Sequence, residues 1–400
     1  MKEENKQTFV LLHVDRYNSF IQPELKSLLD SAQGRYLIHK TSIEREIKYS
    51  IVTACPSTIE HVLEKSMLIS EAITMLNYDL LEKRNNDTNE STNMNIIEKL
   101  NRSLNADVIA NINSKIEGNY KIDCICSSKP QAIEYLIKKI CVNYRVDLNN
   151  PASTISVIED DEYCMVGMLY KKSNRKELLK YSVKNRKFIG NTSMDNEISF
   201  IICNMAGVSE KTILWDCFAG SGSILLSGAL CGAMVAGTDI NDKQFRGREV
   251  AHTNSRIKTQ LPNTNIYSNF DMYNIIDKVL MIGVHDIFSE CLFKENTVDV
   301  ILCDPPYGER ETIKKKTTEA NEYVEGNDKY LIPSVPFFGR VIEIGRSVLK
   351  SKGRIGIFMP HTTGTTPKLR EIKGFTQVAQ AEQYLNSLYS RTFFLLEVNK

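Results

Sequence analysis

The chain has 400 residues, which exceeds the size that one ordinary hydrophobic core supports, so two or three domains are expected. Hydrophobic residues make up 42% and charged residues 25%, as in globular proteins, and the absence of an apolar run of about 18 residues argues against a membrane span. The net charge of +1 excludes a protein that is basic throughout, although basic residues cluster locally.

The cysteines and the N-terminus predict the cellular compartment. The opening sequence MKEENKQTFVLLHV contains acids and lacks a small-residue cleavage site, so we expect no secretory signal. The 10 cysteines contain no CxxC pair, and the six histidines lack helical ligand spacing. This distribution is typical of reduced, buried thiols in a cytosolic or nuclear protein, and we take the cytoplasm as the location. We predict no metal site.

The N-terminal part of the chain predicts two small α+β domains. In residues 1–70, TFVLLHV and KYSIVTA have the pattern of strands, and PELKSLLDSA has that of a short amphipathic helix. In residues 71–165, YKIDCICS predicts a strand and QAIEYLIKKICVNY a helix. Residues 85–95, NNDTNESTNMN, form a low-complexity segment that we interpret as a surface loop or insertion. Neither domain contains a clear chemical motif.

A basic segment follows, and we predict that residues 166–190 form a linker. Between positions 171 and 187 the sequence contains eight basic residues and one acid, Glu177. Such a run is usually a solvated face, but it also has the composition of a phosphate-contacting patch, and the sequence leaves both interpretations open. The candidate RNA-binding residues are Lys171, Lys172, Arg175, Lys176, Lys180, Lys184, Arg186 and Lys187.

From residue 191 to residue 400, apolar strands alternate with helical segments. The strand candidates are TILWD, AMVAGTD, VDVILCD and GRIGIFMP, separated by helix candidates that include SILLSGALCGA and FFGRVIEIGRSVLK. This alternation predicts an α/β domain with a mostly parallel sheet covered on both faces. The last strand, RTFFLLEV, is expected to pair antiparallel with residues near 375–384.

The first strand of this domain ends in a glycine-rich turn that predicts a ligand site. DCFAGSG runs from Asp216 to Gly222 and opens a helix, which is where open α/β sheets bind their ligands. Gly220 and Gly222 allow a tight turn and a close backbone approach. Asp239 lies 19 residues after Gly220, the spacing of an acid that binds ribose hydroxyls, although a helix cap is the alternative.

The residues around this turn favour S-adenosylmethionine over a dinucleotide. A dinucleotide site requires a third glycine where Leu225 stands, and Asp216 would repel a pyrophosphate. An acid at that position suits the ammonium of an amino-acid end, and Asp239 suits the ribose. Asp286, after the third strand, is placed to reach the adenine amine, although it also suits a helix cap.

The fourth strand ends in Asp304-Pro305-Pro306-Tyr307, on the same edge as the glycine turn. An exocyclic amine on a base is a poor nucleophile, and it needs acceptors for its two N–H bonds before it can attack a methyl group. The carboxylate of Asp304 and the carbonyl of Pro305 supply such acceptors, and the two prolines hold them still. Tyr307 offers a ring face for an extruded base. The alternative is an ordinary strand-to-turn ending.

These motifs resemble one family of class I methyltransferases. Asp/Asn-Pro-Pro-Tyr is the amine-methylating motif of that class, and RKFIGNTSMDNEISFIICNMA, DCFAGSGS, GTDI and LCDPPYGER together resemble the tRNA guanosine-10 N2-methyltransferase catalytic subunit. The resemblance covers residues from about 180 to 310 and continues weakly to the end. The family has a THUMP domain, which implies that residues 71–165 are THUMP-like and bind RNA.

The resemblance also implies the substrate, the cofactor, a partner and site residues. It implies tRNA as substrate, the guanine N2 amine as acceptor, S-adenosylmethionine as methyl donor, and a small zinc-binding activator subunit as partner. At the methionine end of the cofactor the family's roles fall on Asp216, Phe218, Gly220 and Gly222. They fall on Asp239 at the ribose, on Asp304 to Tyr307 at the amine, and on Asn191, Thr192 and Ser193, which close the pocket.

Two other functions remain open from the sequence. The motif also suits methylation of another base amine, such as adenine N6 in RNA or DNA, but an enzyme acting on DNA would more often carry a target-recognition domain. A non-catalytic RNA-binding platform is the other alternative. Such a protein would be expected to have lost Asp304, Gly220 or Gly222, and all three are present.

Overall fold

The computed structural model describes residues 6–44, 47–80, 94–140, 144–161, 163–190, 193–247, 264–307, 324–325 and 328–400. The chain forms two compact units. The first unit comprises Met1–Arg16 and Ala32–Arg175, and the second comprises Tyr17–Ser31 and Lys176–Lys400.

Sixteen strands are present in the described part of the chain. They are β1 (Gln7–His13), β2 (Leu37–Ser42), β3 (Tyr49–Ala54), β4 (Ile69–Met75), β5 (Tyr120–Ile125), β6 (Ser153–Glu159), β7 (Cys164–Lys172), β8 (Ile213–Asp216), β9 (Met234–Asp239), β10 (Val279–Val284), β11 (Val298–Cys303), β12 (Val324–Glu325), β13 (Leu349–Thr362), β14 (Lys368–Leu369), β15 (Phe375–Tyr384) and β16 (Tyr389–Val398).

The α-helices of the same described ranges number eleven. They are α1 (Ile21–Ser31), α2 (Pro56–Lys65), α3 (Ile96–Ser103), α4 (Ala106–Lys115), α5 (Lys129–Lys139), α6 (Arg175–Leu178), α7 (Asn196–Ala206), α8 (Ser223–Leu230), α9 (Asp242–Phe245), α10 (Ile266–Met272) and α11 (Val335–Val348).

The first unit is built on one seven-stranded sheet with the strand order β2-β3-β1-β4-β7-β6-β5. Strand β4 pairs with β1 on one side and with β7 on the other, both antiparallel. One hydrophobic cluster contains Val10 and Ile51 together with Ile158 and Met165, so residues from both predicted N-terminal domains share a core.

The pairing differs from the predicted domain boundaries. The boundary at residue 70 falls inside β4, and the start of the predicted linker at residue 166 falls inside β7. Alternating apolar residues mark a strand but do not identify its partner, so the sequence could not indicate that the two parts share a sheet. The division of the chain into 1–70, 71–165, 166–190 and 191–400, and the THUMP-like character of the second part, stay predictions.

The second unit confirms the predicted α/β fold. Its seven-stranded sheet has the order β10-β9-β8-β11-β13-β16-β15, and neighbouring strands from β10 to β13 are parallel. Strand β16 runs antiparallel to both of its neighbours, so the sheet is mixed at this end. The expected antiparallel pairing of RTFFLLEV with residues 375–384 is confirmed. Helix α11 buries Phe338, Val341 and Ile342 in a core cluster that includes Trp215 and Ile357.

Three predicted segments lie wholly or mostly outside the described residues. They are most of the low-complexity segment 85–95, the later part of NDKQFRGREVAHTNSRIK, which from its sequence is also a predicted helix, and most of residues 311–330, whose sequence predicts a polar segment. The first turn of that predicted helix is present as α9.

Helix α1 belongs to the second unit although it lies near the N-terminus of the chain. It packs against α7 through buried polar contacts. The side-chain amide of Asn204 donates to Oε1 of Glu24 over 2.8 Å, and Ser27 Oγ donates to the carbonyl oxygens of Asn204 and Met205 over 2.7 and 3.0 Å. Glu24 is 1% exposed, so this polar contact anchors α1 in a place that water does not reach.

We expect Asn204→Ala to lower the free energy of unfolding by about 1–3 kcal/mol, because the buried carboxylate of Glu24 loses a hydrogen-bond donor. Urea denaturation followed by circular dichroism measures the change. The control is Lys26→Ala, since the Lys26 side chain on the same helix is 66% exposed. An unfolding midpoint for Asn204→Ala equal to that of the control would contradict the anchoring role.

Candidate active site

Four acidic residues follow four adjacent parallel strands of the second unit. Strands β8 and β9 end at Asp216 and Asp239, Asp304 comes directly after β11, and Asp286 follows the end of β10 by two residues. Because the carboxyl ends of neighbouring parallel strands meet at one edge of the sheet, these acids share an edge. The predicted cofactor and amine residues are therefore brought to the same side of the second unit.

The glycine turn between β8 and α8 is held by backbone and side-chain hydrogen bonds. Gly220 N donates to Oδ2 of Asp239 over 2.9 Å, and Ala219 N donates to the carbonyl of Thr238 over 2.9 Å. Gly220 and Gly222 have φ values of +51° and +80°, in the left-handed region that favours glycine. A Cβ on Gly222 would lie 2.5 Å from Cδ1 of Ile266. Position 222 therefore requires glycine because of packing as well as because of backbone conformation.

Asp216 is the most buried of these four acids, with 1% of its surface exposed. Its Oδ1 accepts a hydrogen bond from Phe218 N over 3.0 Å. Burial raises the pKa of the Asp216 carboxyl well above its usual range. The hydrogen bond from Phe218 N lowers this pKa, and the charges of Asp239 and Asp304 raise it. The arrangement concentrates negative charge beside the glycine turn, which favours a cationic ligand.

Asp239 and Asp286 both act as local caps, which was the alternative role left open for each. Oδ1 of Asp239 accepts from Asn241 N over 2.9 Å, and Oδ1 of Asp286 accepts from Phe288 N over 3.0 Å. An ionised carboxylate offers about four lone-pair sites, so a carboxylate that caps a turn can also accept from a ligand hydroxyl or amine. Capping and ligand binding are therefore compatible at both positions.

The segment before α7 approaches the glycine turn at Ser193. The hydroxyl groups of Ser193 and Ser221 lie 2.8 Å apart, and Ser193 Oγ also donates to the carbonyl of Gly190 over 3.2 Å. The other two residues predicted to close the pocket, Asn191 and Thr192, lie outside the described residues. On the opposite side, the ring of Phe218 makes an edge-to-face contact with Phe337 at 5.4 Å between centroids.

The Asp304-Pro305-Pro306-Tyr307 segment forms a polar network with a residue that the sequence analysis missed. Tyr307 donates its hydroxyl to Oδ1 of Asp304, and Arg391 donates Nη1 to Oδ2 of Asp304. Arg391 Nη1 also lies 3.0 Å from the Tyr307 hydroxyl. Pro305 is buried and Pro306 half-buried, which fixes the backbone of the turn. Asp304 is thus ion-paired, and its side chain is 24% exposed at the site.

Arg391 is held in place by its own contacts. Its Nε donates to Oε1 of Gln383 over 2.8 Å, and its guanidinium lies 4.0 Å from the centroid of the Phe358 ring. Burial is the largest single influence on the pKa of Arg391 and lowers it, but the charges and hydrogen bonds of Asp304 and Tyr307 together outweigh burial and raise this pKa above its usual range. Burial raises the pKa of Tyr307 well above its usual range, and Asp304 adds to this while Arg391 opposes it.

The sequence contained one indication that Arg391 has a function: it is a cation inside a mostly apolar strand.

The basic residues divide between the two units. Lys171, Lys172 and Arg175 belong to the first, and Lys176, Lys180, Lys184, Arg186 and Lys187 to the second. Five of the lysines are exposed: Lys171, Lys172, Lys176, Lys180 and Lys184. Lys180 pairs with Glu177, and Arg175 Nε donates to the carbonyl of Met67 over 2.8 Å. The exposed lysines are consistent with both interpretations of the basic segment, a solvated face and a phosphate-contacting patch.

Arg186 differs from its predicted role in RNA binding. It is only 7% exposed, and its Nη1 donates to Ser223 Oγ over 2.7 Å. A guanidinium buried in this way is not available to a phosphate backbone. Charge runs identify basic composition, but they do not distinguish a side chain that turns inward from one that faces water.

A model of the UPF0020 family, described as an RMKL-like methyltransferase domain, matches residues 184–322. The matched residues lie in the second unit. The tRNA (guanine(10)-N(2))-methyltransferase TRMT11 of Rattus norvegicus is 30% identical over 309 residues, which cover 70% of this chain and 66% of that protein. The tRNA (guanine(10)-N(2))-methyltransferase of Saccharomyces cerevisiae is 33% identical over 184 residues, which cover 42% of this chain and 39% of the relative.

The matches confirm the resemblance predicted from the motifs, and the chain spans less than two thirds of the length of both relatives. Among solved structures, TrmN from Thermus thermophilus matches 99% of this chain and 100% of its own, with 12% identity and a TM-score of 0.45. A TM-score this low supports no further comparison.

The described residues also bear on membrane spans, metal sites and disulfide bonds. None of the described helices is long and apolar enough to cross a membrane. Within the same ranges, no group of three His, Cys, Asp or Glu side chains is arranged to hold a metal ion. The nine described cysteines are free thiols.

We expect Asp216→Asn in the second unit to raise the free energy of unfolding at neutral pH. Because the pKa of the folded carboxyl is raised, the unfolded chain releases this proton at a lower pH than the folded one, and the free energy of unfolding falls as pH rises above the ordinary range of an aspartate. The wild-type protein should therefore lose stability relative to the variant from about pH 4 upward. Urea titrations between pH 4 and pH 8 measure this, with exposed Asp277→Asn as control. A parallel pH dependence of the two variants would refute the effect of burial.

Proposed function

We propose that this protein is an S-adenosylmethionine-dependent tRNA methyltransferase that makes N2-methylguanosine at guanosine 10. The observation that carries the proposal is the position of Asp304-Pro305-Pro306-Tyr307 directly after β11, the parallel neighbour of β8, whose end begins the glycine turn. The charge of Asp304 acts on Asp216, which lies at the start of that turn. The amine-binding motif and the cofactor turn thus belong to one site.

The residues at the glycine turn fit S-adenosylmethionine. The buried carboxylate of Asp216, with Asp239 and Asp304 near it, suits a ligand that carries positive charge. Asp239 would accept from the ribose hydroxyls, and Asp286 from the adenine amine. Gly220 and Gly222, with Phe218 and the segment Asn191 to Ser193, would surround the methionine end. When bound, the cofactor supplies an electrophilic methyl group on a sulfonium.

Asp304 and Pro305 prepare the amine for attack. Each Asp304 oxygen uses one acceptor site for Tyr307 or Arg391, and the carboxylate keeps acceptor capacity for an N–H of the guanine amine. The Pro305 carbonyl accepts the second N–H. These two hydrogen bonds would draw the nitrogen lone pair out of conjugation and orient it toward the methyl group that a bound cofactor would supply. The displaced amine proton leaves to solvent.

Arg391 and Tyr307 hold this acceptor in place. Two donors from different parts of the chain fix the orientation of the Asp304 carboxylate. A protonated carboxyl would offer a donor where the amine requires an acceptor. The Tyr307 ring remains half-buried, and we propose that one of its faces receives the extruded base.

The names of the relatives support tRNA as the substrate, since both are tRNA (guanine(10)-N(2))-methyltransferases. In this proposal the exposed lysines of the basic segment contact tRNA phosphates: Lys171, Lys172, Lys176, Lys180 and Lys184. Lys187 and Arg175 are partly exposed and remain candidates, whereas Arg186 is withdrawn from this set. A cytoplasmic location is part of the same proposal.

A small zinc-binding activator subunit is the proposed partner, and strand β10 is where we place its docking. This edge strand, VLMIGV, has no charged residue and no proline, the features by which edge strands usually avoid pairing. Leu280 and Val284 are 50% and 58% exposed. The other edge strand, β15, carries mostly polar residues. An apolar, unprotected edge favours a partner that adds a strand.

We expect wild-type protein to transfer a labelled methyl group from S-adenosylmethionine to unmodified tRNA, with N2-methylguanosine found by nucleoside analysis. Asp304→Asn should lower the transfer rate by about 100-fold or more, because the acceptor at the amine is replaced by a neutral amide. Cofactor binding, measured by calorimetry, should stay near the wild-type value. The exposed Asp277→Asn serves as control.

The outcomes of this transfer assay separate the alternatives. Transfer to DNA or to another RNA, but not to tRNA, would keep the chemistry and overturn the substrate. Full activity of Asp304→Asn would remove that residue from the mechanism. Absence of transfer to any nucleic acid, with the partner present, would favour the RNA-binding platform.

We expect Leu280→Lys to abolish association with the activator subunit, because a buried lysine in the added strand pair has no partner for its charge. Val378→Lys on β15 is the matched control, since that side chain is 42% exposed on the opposite edge of the same sheet. Co-purification and size-exclusion chromatography measure the complex. Loss of the complex in the β15 variant alone would move the docking surface to the other edge.

A further inference from the structure

Arg186 presents a buried guanidinium that the mechanism above does not use. Its Nη1 donates to Ser223 Oγ over 2.7 Å, whereas Nε and Nη2 have no hydrogen-bond partner within the described residues. Burial lowers the pKa of Arg186 to about 10, and Tyr273 and Asp195 oppose this shift. Neither of those two residues forms an ion pair with it in the described part of the chain. The charge is therefore buried and only partly compensated.

Such an arrangement is costly without an anion. A buried charge that lacks a paired and hydrogen-bonded partner strongly destabilises a folded protein. The hydroxyl of Tyr273 is also buried and lacks a hydrogen-bond partner among the described residues, so a further donor lies in the same surroundings. Two donors with unused hydrogen-bonding capacity point to an acceptor that is negatively charged.

The guanidinium lies at the cofactor turn. Ser223, which Arg186 contacts, is the first residue of α8 and directly follows Gly222. The N-terminus of a helix carries partial positive charge and free N–H groups, which favour an anion. Ser193 and Ser221, whose hydroxyl groups lie 2.8 Å apart, join the same region. A buried cation and a helix N-terminus thus meet beside the turn that the proposed function assigns to the cofactor.

We infer that Arg186 binds the carboxylate of the methionine end of S-adenosylmethionine. The inference rests on the proposed function for the cofactor itself, and it adds a residue and a chemical role. The carboxylate is the negatively charged group of that ligand. An RNA phosphate is a poorer occupant, because Arg186 is 7% exposed and a nucleic-acid backbone cannot enter so closed a position.

The assignment gives the two charges of the amino-acid end separate partners. Asp216 offers a buried carboxylate to the ammonium, and Arg186 offers a buried guanidinium to the carboxylate. Each protein charge lacks full compensation from the described residues, and a zwitterion supplies both missing charges. A neutral ligand, or a ligand with only a positive charge, would leave the guanidinium of Arg186 without a negatively charged partner.

Calorimetric titration of the full chain with two ligands tests this inference. The ligands are S-adenosylmethionine and decarboxylated S-adenosylmethionine, which keeps the adenosine, the sulfonium and the ammonium but lacks the carboxylate. We expect Arg186→Met to weaken binding of S-adenosylmethionine by about 10- to 100-fold, the usual size of a charge-assisted hydrogen bond. Binding of the decarboxylated ligand should not weaken. Lys211→Met, at an exposed position of the same unit with no assigned role, should change neither affinity.

The outcomes distinguish this inference from the cofactor assignment. Equal losses for both ligands in Arg186→Met, repeated in the charge-retaining Arg186→Lys, would mean that Arg186 supports the fold and would overturn the inference. Unchanged binding of S-adenosylmethionine in Arg186→Met would overturn it as well, while leaving the cofactor assignment intact. Failure of the wild-type chain to bind S-adenosylmethionine would overturn both. A selective loss of the carboxylate-bearing ligand supports both.

Discussion

The meeting of parallel strand ends at one edge of a sheet is the constraint on which the site depends. It brings Asp216, Asp239 and Asp304 close enough that the charges of the last two raise the pKa of the first. Like charges at such an edge repel one another, so the fold has to compensate them or leave them for a ligand. Asp304 is paired with the buried Arg391, and Asp239 accepts from two backbone N–H groups. Asp216 accepts from Phe218 N but has no paired cation among the described residues.

The compensation of Asp304 comes from the antiparallel end of the sheet. Arg391 lies on β16 opposite Pro360 of β13, and β13 separates β16 from β11, the strand that Asp304 follows. The long guanidinium side chain spans this distance, and Gln383 on β15 and the Phe358 ring support it. The reversed strand therefore has a chemical consequence, since it brings a cation to the motif that the parallel strands alone do not supply.

The sequence was informative where local pattern determines structure and uninformative where distant residues meet. Gly220, Gly222 and the prolines of the motif were recognised because turn conformation and strand termination depend on nearby residues. The pairing of Asp304 with Arg391 joins residues 87 positions apart, and nothing in either neighbourhood specifies the other. Arg186 was assigned by the charge of its neighbours, yet its side chain is buried while most of theirs are exposed. The shared sheet of the first unit was missed for the same reason, because alternation marks strands without identifying partners.

The second unit thus contains two buried ionisable side chains of opposite type, Asp216 and Arg186, that form no ion pair within the described residues. An ion pair between these two side chains would stabilise the fold, but under the proposed function a zwitterionic ligand would first have to break that pair. Two separate, uncompensated groups destabilise the fold, and under the same proposal the ligand would supply the missing interactions. A ligand that binds only the folded state stabilises it according to its concentration relative to its dissociation constant. If Asp216 and Arg186 bind the cofactor as proposed, the stability of the fold and the recognition of the cofactor are coupled through the same two side chains.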